Sequence, residues 1–375
     1  MALFLVNGVA GANWFVRIPA VQGALGLSNA TLGLVLLGMP AGAIVTMPVA
    51  GALVARFGSR RVAVAGALID CLGVSLLGFA GSALALAVTL FLFGVGNGAM
   101  DIGMNAQGVV VERGYGRPIM SSFHAWFSIG GIAGALFGGL MAGQGIGVGP
   151  HLLGVGLVGV VATLATARLL LPATAERAND DEHHLSLRAP RPVVVLGLIA
   201  FCAMLAEGAM ADWSAVYLRD IGAGAGLAAT GYAIFSVTMT LGRLAGDRAT
   251  EALGGARLVQ VGGLIAAAGL LLTVIVHRTP AALAGFALVG AGVATIAPIV
   301  YSTAGRSRGV APGTAIAAAT TIGYLGFIAG PPLIGLVAGL ITLRWALLVV
   351  VALLVAMVAM ARVVDRAESL QGDRP

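Results

Sequence analysis

Long apolar runs, broken by short stretches of arginine, glycine and proline, set the pattern of this chain. Twelve runs stand out, at residues 1–20, 29–52, 61–80, 83–107, 119–142, 150–171, 192–218, 228–246, 257–276, 280–302, 313–339 and 343–363. A helix that crosses a bilayer takes about 20 apolar residues, and each run is close to that length. The longest polar stretch, AERANDDEHHLSLRAPRP, falls between the sixth and seventh runs, near the middle of the chain. The pattern predicts an all-α polytopic membrane protein of about twelve transmembrane helices in two six-helix bundles. The N-terminal bundle covers 1–171, a cytoplasmic linker 172–191, and the C-terminal bundle 192–375 with a short cytoplasmic tail. The opening segment, MALFLVNGVAGANWF, lacks a basic leader and runs straight into apolar sequence, so it is expected to be the first span rather than a cleaved signal, with the place of the natural start left open.

Composition supports the membrane reading. The 375 residues are 59% hydrophobic and 10% charged, with a mean hydropathy of +1.01. A soluble domain carries about 25% charged residues, so a water-facing surface cannot be built from this chain. Glycine reaches 57 residues, and small residues let helix backbones approach where lipid removes the hydrophobic drive for association. Gly130, Gly134 and Gly138 recur at four-residue spacing, as do Gly139 and Gly143, which predicts a tightly packed helix over 119–143.

The net charge of +6 raises a nucleic-acid reading, but the basic residues, all arginine, are scattered along the chain. With the N-terminus placed inside and the spans alternating, seventeen arginines fall on the cytoplasmic side. Only Arg17, Arg219, Arg278 and Arg344 fall outside. This is a positive-inside bias, and it predicts a multi-pass protein of a plasma membrane with both termini cytoplasmic. The two cysteines, Cys71 and Cys202, lie in apolar spans and are expected to be free and buried.

The halves resemble each other. NGVAGANWFVR in the first run is similar to EGAMADWSAVYLR in the seventh, with Trp14 and Trp213 199 positions apart, as are Thr31 and Thr230. GVGNGAMD (94–101) pairs with GAGVATIAP (290–298) at a separation of 196. Copies six spans apart share one orientation, which predicts a parallel pseudo-repeat with a solute site near the midplane.

At this point a family resemblance becomes specific. GALVARFGSRR (51–61) resembles the signature loop Gly-x-x-x-Asp-Arg-x-Gly-Arg-Arg of the major facilitator superfamily, and LGRLAGDRATEALGGAR (241–257) resembles its second-half counterpart. The resemblance implies a secondary transporter, with Arg56, Arg60, Arg61, Asp247 and Arg248 at the cytoplasmic gate. Ala55 stands at the acidic position of the first loop, while Asp247 before Arg248 is taken as the acid of the second. GNGAMDIGMNAQG (96–108) and SSFHAWFSIGG (121–131) resemble the rhizopine-transporter-like branch, near the fucose permease group of sugar–proton symporters. In that group a fourth-helix acid, followed four residues later by Asn, takes part in proton coupling and sugar binding, which implies that role for Asp101. The group's first-helix acid has no counterpart here. The fifth span also lacks the proline motif of drug–proton antiporters, so proton-driven export of drugs or metabolites is the alternative to uptake of a sugar-like solute.

A charge at the bilayer centre costs about 2.5–3.5 kcal/mol on insertion scales, so the acids inside apolar spans need a reason. Asn97, Asp101 and Asn105 recur at four-residue spacing, on one helix face, and amides can hold hydroxyls or orient a carboxylate. His124 sits at a similar depth on the next span, so an Asp101–His124 pair can either pass a proton or stitch two helices together. Glu207, about 22 Å along its span at 1.5 Å per residue, is the third proton-coupling candidate, with Asn7 as its expected repeat mate. Its alternative role is a structural acid paired with an arginine or amide. Asp212, Trp213, Asn13 and Trp14 lie nearer the outer face. The expected substrate cavity takes in Asn7, Trp14, Asn97, Asn105, Asp212 and Trp213, although tryptophan at such depths also serves packing or the membrane interface. Asp70 is expected to be structural, and Asp180, Asp181, Glu182, His183 and His184 to form a solvated linker rather than a metal site. No His-Glu-x-x-His or Cys/His ligand spacing occurs, so no enzyme, metal or cofactor is expected. The expected partners are a small solute, H+ and the lipid bilayer, with the protein a monomer and no nucleic acid involved.

Overall fold

The computed structural model describes residues 1–115, 120–172, 190–305, 307 and 312–364. These hold fourteen α-helices and no strand. In chain order they are α1 (Ala2–Leu25), α2 (Asn29–Leu36), α3 (Gly38–Phe57), α4 (Ser59–Leu77), α5 (Ala83–Tyr115), α6 (Met120–Gly143) and α7 (Val148–Ala167), then α8 (Arg191–Asp220), α9 (Ala225–Leu253), α10 (Gly255–Val276), α11 (Thr279–Val293), α12 (Ile296–Gly305), α13 (Pro312–Leu340) and α14 (Leu343–Met360). Among the described residues ten spans are long and apolar enough to cross a membrane. Two of them are broken helices, α2 with α3 and α11 with α12. α1 and α4 fall short on apolarity, because α1 carries Asn7, Asn13 and Arg17 and α4 carries Arg60, Arg61 and Asp70. The expected linker cluster Asp180–His184 and the C-terminal tail beyond 364 lie outside the described residues.

The chain divides into two compact units, Met1–Asp180 with Gly222–Ala233, and Asp181–Ile221 with Ile234–Pro375. In the first, α1 lies along α6, and α5 is clasped between α3 and α4, with α4 also against α7. In the second, α8 lies along α13, and α10 packs on α11 and α14.

Glycine makes these approaches possible. A Cβ on Gly66 would strike the backbone at Met100, one on Gly73 the backbone at Phe93, and one on Gly96 the backbone at Asp70, so α4 and α5 meet main chain to main chain. The second unit repeats the device: Gly262 abuts Gly292, and Gly269 abuts Gly285. Lipid tails are as apolar as leucine, so close backbone packing rather than water exclusion holds such helices together.

These contacts also fix the register of the internal repeat. Gly130 meets the backbone of Leu5 and Val9, while Gly326 meets that of Phe201 and Leu205. Gly94 meets Met39, and Gly290 meets Phe235. Each correspondence is a shift of 196 residues. The helix starts at Ser59 and Gly255, and at Ala83 and Thr279, keep the same shift. So do Gly58 and Gly254, which open α4 and α10 at φ +85° and +78°, in the region that favours glycine. The 199-residue pairing of the first and seventh spans is therefore overturned. Trp14 corresponds to Met210, and Glu207 to Gly11 rather than Asn7. Chance similarity of Trp and small residues outweighed the packing register, which a one-dimensional comparison does not see.

The same register corrects the second gate loop. Three residues before Gly254, where Ala55 precedes Gly58, stands the exposed Glu251. Glu251, not Asp247, is the acid that corresponds to the signature position; the Asp247 side chain lies outside the described residues.

Gly96→Ala is expected to destabilise the protein by about 1–3 kcal/mol, the usual cost of overpacking, because its methyl meets unyielding backbone. Gly154→Ala, which faces open space on α7, is expected to leave stability unchanged or slightly raised. Thermal unfolding of the detergent-purified variants checks both.

Candidate functional site

In the first unit the polar stripe of α5 splits in two. Asp101 is half-buried, and Asn105 Nδ2 donates to its carboxylate oxygen at 2.9 Å and to its main-chain carbonyl at 2.9 Å. The i, i+4 spacing places both groups on one face, as expected. Asn97, a turn earlier, reaches instead toward Asp70 of α4. Asp70 is fully buried at the glycine seam, and neither of its carboxylate oxygens completes a hydrogen bond.

The expected Asp101–His124 contact is not made. Asn105 holds the carboxylate, and the exposed His124 ring lies edge-on to Phe4 of α1, centroids 5.3 Å apart. Equal depth on neighbouring spans does not bring side chains together when α5 and α6 barely touch and α6 packs on α1.

α1 turns most of its polar residues inward. Asn7 is buried and donates to Met100 Sδ at 3.6 Å. Asn13 is fully buried between the Val9 carbonyl, at 2.8 Å, and His151 Nε2 of α7, at 2.9 Å. Arg17 is buried as well and donates to the Ile146 carbonyl. Trp14 is 1% exposed and offers no ring face to a solute. Asn7 and Trp14 thus serve helix packing in this conformation, not a cavity wall. A cleft of about 400 Å³ between α6 and the first turns of α9 is lined by Ala135, Gly139, Gly143, Gly226 and Ala229 and touches no charged candidate.

The second unit gathers its charges differently. Glu207 of α8 and Arg243 of α9 approach to 3.7 Å, each about one-third exposed (30% and 33%). Charge-assisted N–H···O bonds run about 2.7–2.9 Å, so this pair is loose and single-pointed. Tyr301 of α12 stands within electrostatic reach of Glu207 and beside Thr320 of α13, yet its buried hydroxyl completes no hydrogen bond. Asp212 is half-buried without a hydrogen-bond or ion partner among the described residues. Trp213 is fully buried with its indole N–H unpaired, so it too belongs to the core rather than to a cavity.

Arg243, Tyr301 and Thr320 were not singled out by sequence reasoning. Arg243 had been counted with the cytoplasmic loop arginines, although it lies ten residues inside the end of α9. The 196-residue shift would have exposed the other two: Tyr301 corresponds to Asn105, and Thr320 to His124. Both units therefore carry a polar group at the same two positions, one on α5 or α12 and one on α6 or α13.

At the gate loops Arg56 is exposed and lies over the Phe57 ring at 5.1 Å. Arg61 and Arg248 are also exposed, while Arg60 is half-buried. No group of three or more His, Cys, Asp or Glu side chains among the described residues is arranged to hold a metal.

Comparison with known proteins agrees with this architecture. The chain is 38% identical over 369 residues to an uncharacterised MFS-type transporter of Yersinia pestis, covering 97% of this chain and 94% of the relative. It is 33% identical over 371 residues to the membrane protein MosC of Rhizobium meliloti, covering 98% and 90%. Its fold matches that of the E. coli fucose:proton symporter FucP with a TM-score of 0.62 at 19% identity, over 96% of each chain. A sequence profile of the Major Facilitator Superfamily matches residues 2–308. With its paired glycine seams and polar groups repeated at a fixed shift in two helical units, the chain belongs to the Major Facilitator Superfamily and is a multi-pass membrane transporter, not an enzyme.

Proposed function

We propose that this protein is a proton-coupled secondary transporter of a small polar, sugar-like solute, working by alternating access. The observation that carries the reading is Asp101. It is an acid within a membrane span, half-buried, held by one amide and without a cation partner among the described residues. A carboxylate so placed is costly to keep charged, and binding a proton removes that cost whenever the site closes to water. Protonation then becomes a condition for closure, which is how a proton gradient can drive a solute.

The solute class follows from the polar positions shared by the units, Asn105 with Tyr301 and His124 with Thr320. Amide, imidazole and hydroxyl groups suit a polyhydroxylated molecule. The likeness in fold to the fucose:proton symporter is in keeping with the same reading. The halves 1–171 and 192–375, joined by 172–191, act as the two moving bundles of a monomer in a bacterial plasma membrane. Both termini are cytoplasmic, with Arg56, Arg60, Arg61, Arg248 and Glu251 at the inner gate.

Reconstituted into proteoliposomes, the wild type is expected to accumulate at least one of a labelled set of sugars, polyols and sugar acids when the outside is made acidic, and to lose accumulation when a protonophore is added. Asp101→Asn is expected to abolish gradient-driven accumulation while retaining solute exchange at equilibrium. Uptake indifferent to the pH gradient, with Asp101→Asn fully active, would refute coupling through this residue.

The orientation has its own check. In intact cells, Gly81→Cys between α4 and α5 is expected to react with an impermeant maleimide, and Leu253→Cys at the end of α9 only after the membrane is opened. The reverse pattern would invert the topology.

A further inference from the structure

We infer that the solute carries a carboxylate, and that this carboxylate and a proton enter the second unit together by displacing the Glu207–Arg243 pair. The inference rests on the transporter reading above and adds the charge of the solute and the site that receives it.

The pair is poorly made for a structural lock. Its single contact, at 3.7 Å, is longer than a charge-assisted hydrogen bond, and each side chain is about one-third exposed. A guanidinium presents five N–H donors in a planar fork suited to two carboxylate oxygens at once. Among the described residues Arg243 has no partner other than Glu207. Most of its donors are unspent inside a membrane span, where an unsatisfied cation is expensive. A solute carboxylate can engage Arg243 by both oxygens, which Glu207 does not.

Glu207 then decides the proton. Beside a solute anion on Arg243 a charged Glu207 would be a second carboxylate with no cation of its own, so charge balance at the site calls for one proton. One proton from the water phase adds to the Glu207 carboxylate as the solute takes its place. No covalent bond to carbon forms or breaks. The site's net charge stays at zero, from Glu⁻ with Arg⁺ to neutral Glu with Arg⁺ and the solute anion.

On their own helices Asp247 and Arg248 follow Arg243 by about one turn of α9, and Asp212 follows Glu207 on α8; the packed neighbours add little charge. Tyr301 of α12 stands within electrostatic reach of Glu207 and beside Thr320, and its hydroxyl, which completes no hydrogen bond, can bind the neutral acid or a solute hydroxyl. α13 brings no charged residue, only hydroxyls such as Thr320 and the Tyr324 phenol. α11 has no charged residue, and the one charge of α14, Arg344, is bound to the carbonyls of Val274 and Ile275.

Binding of D-gluconate and D-glucuronate to the full chain, set against D-glucose and myo-inositol at equal millimolar concentrations, tests this. Thermal shift and equilibrium dialysis serve as readouts. The acids are expected to bind and the neutral compounds to bind at least tenfold more weakly. Acid affinity is expected to fall as pH rises, by up to roughly tenfold per pH unit, as uptake of one linked proton requires. Glu207→Gln is expected to bind the acids without pH dependence, and Arg243→Gln to lose them while its unliganded unfolding temperature shows whether it has folded. If Arg243→Gln does not fold, the pH profile of Glu207→Gln decides alone. Neutral sugars that bind as well as the acids, or acid binding indifferent to pH in the wild type, overturn the inference. Gradient-driven uptake of a neutral sugar would leave the transporter reading standing while this one fails. Acid binding with no uptake of any kind would sink the transporter reading instead.

Discussion

Backbone-to-backbone contact across glycine seams is the constraint from which this protein is built. Where α4 meets α5 at Gly66, Gly73 and Gly96, and α10 meets α11 at Gly262, Gly269 and Gly292, no side chain separates the helices. In water such helices would be held by burying leucines. In lipid that drive is absent, and the leucines and valines point outward instead, as Leu84, Val158 and Val161 do at 75%, 70% and 67% exposure. Polar side chains are then free for other work, because they are not needed to make an outer surface soluble.

The seams also sort the buried charges. Asp70 lies where Gly96 presses on its own backbone, with both carboxylate oxygens unpaired and no exposure. Nothing there can move without parting two main chains. Asp101 follows Met100, whose backbone meets Gly66, yet unlike Asp70 it is only half-buried, as are Glu207 and Arg243, and each has one weak or amide partner. The contrast separates a static acid from acids that can change partner or charge. Transport needs the second kind, since a group that trades one partner for another couples a solute to a conformational change through differential affinity.

Fixed register between the units adds a functional argument that neither unit supplies alone. Asn105 and Tyr301, and His124 and Thr320, differ in chemistry yet occupy the same places in the repeat. Repeated polarity at positions where packing does not demand it points to a wall that meets solute or water. Trp14 and Trp213, by contrast, fall at different repeat positions, and both are buried in the packing of their own unit.

Apolar run length and glycine excess were enough to predict a polytopic helical membrane protein, because each is a local consequence of the solvent, whereas the transporter reading came from the likeness of the two gate loops to a known family. A bilayer demands about 20 apolar residues per span and positive charge on one side, whatever the helices do next. Asp101 with Asn105 was legible for the same reason: their contact lies within one helix, and the 3.6-residue period predicts it. What lay beyond reach was everything set between helices. The repeat shift of 196 rather than 199, Glu251 in place of Asp247, His124 against Phe4, the burial of Asn7 and both tryptophans, and the pairing of Arg243 with Glu207 all depend on which faces meet and at what height. Those are properties of close-packed backbones in three dimensions, and a composition rich in glycine and alanine offers many registers that look equally good along the chain.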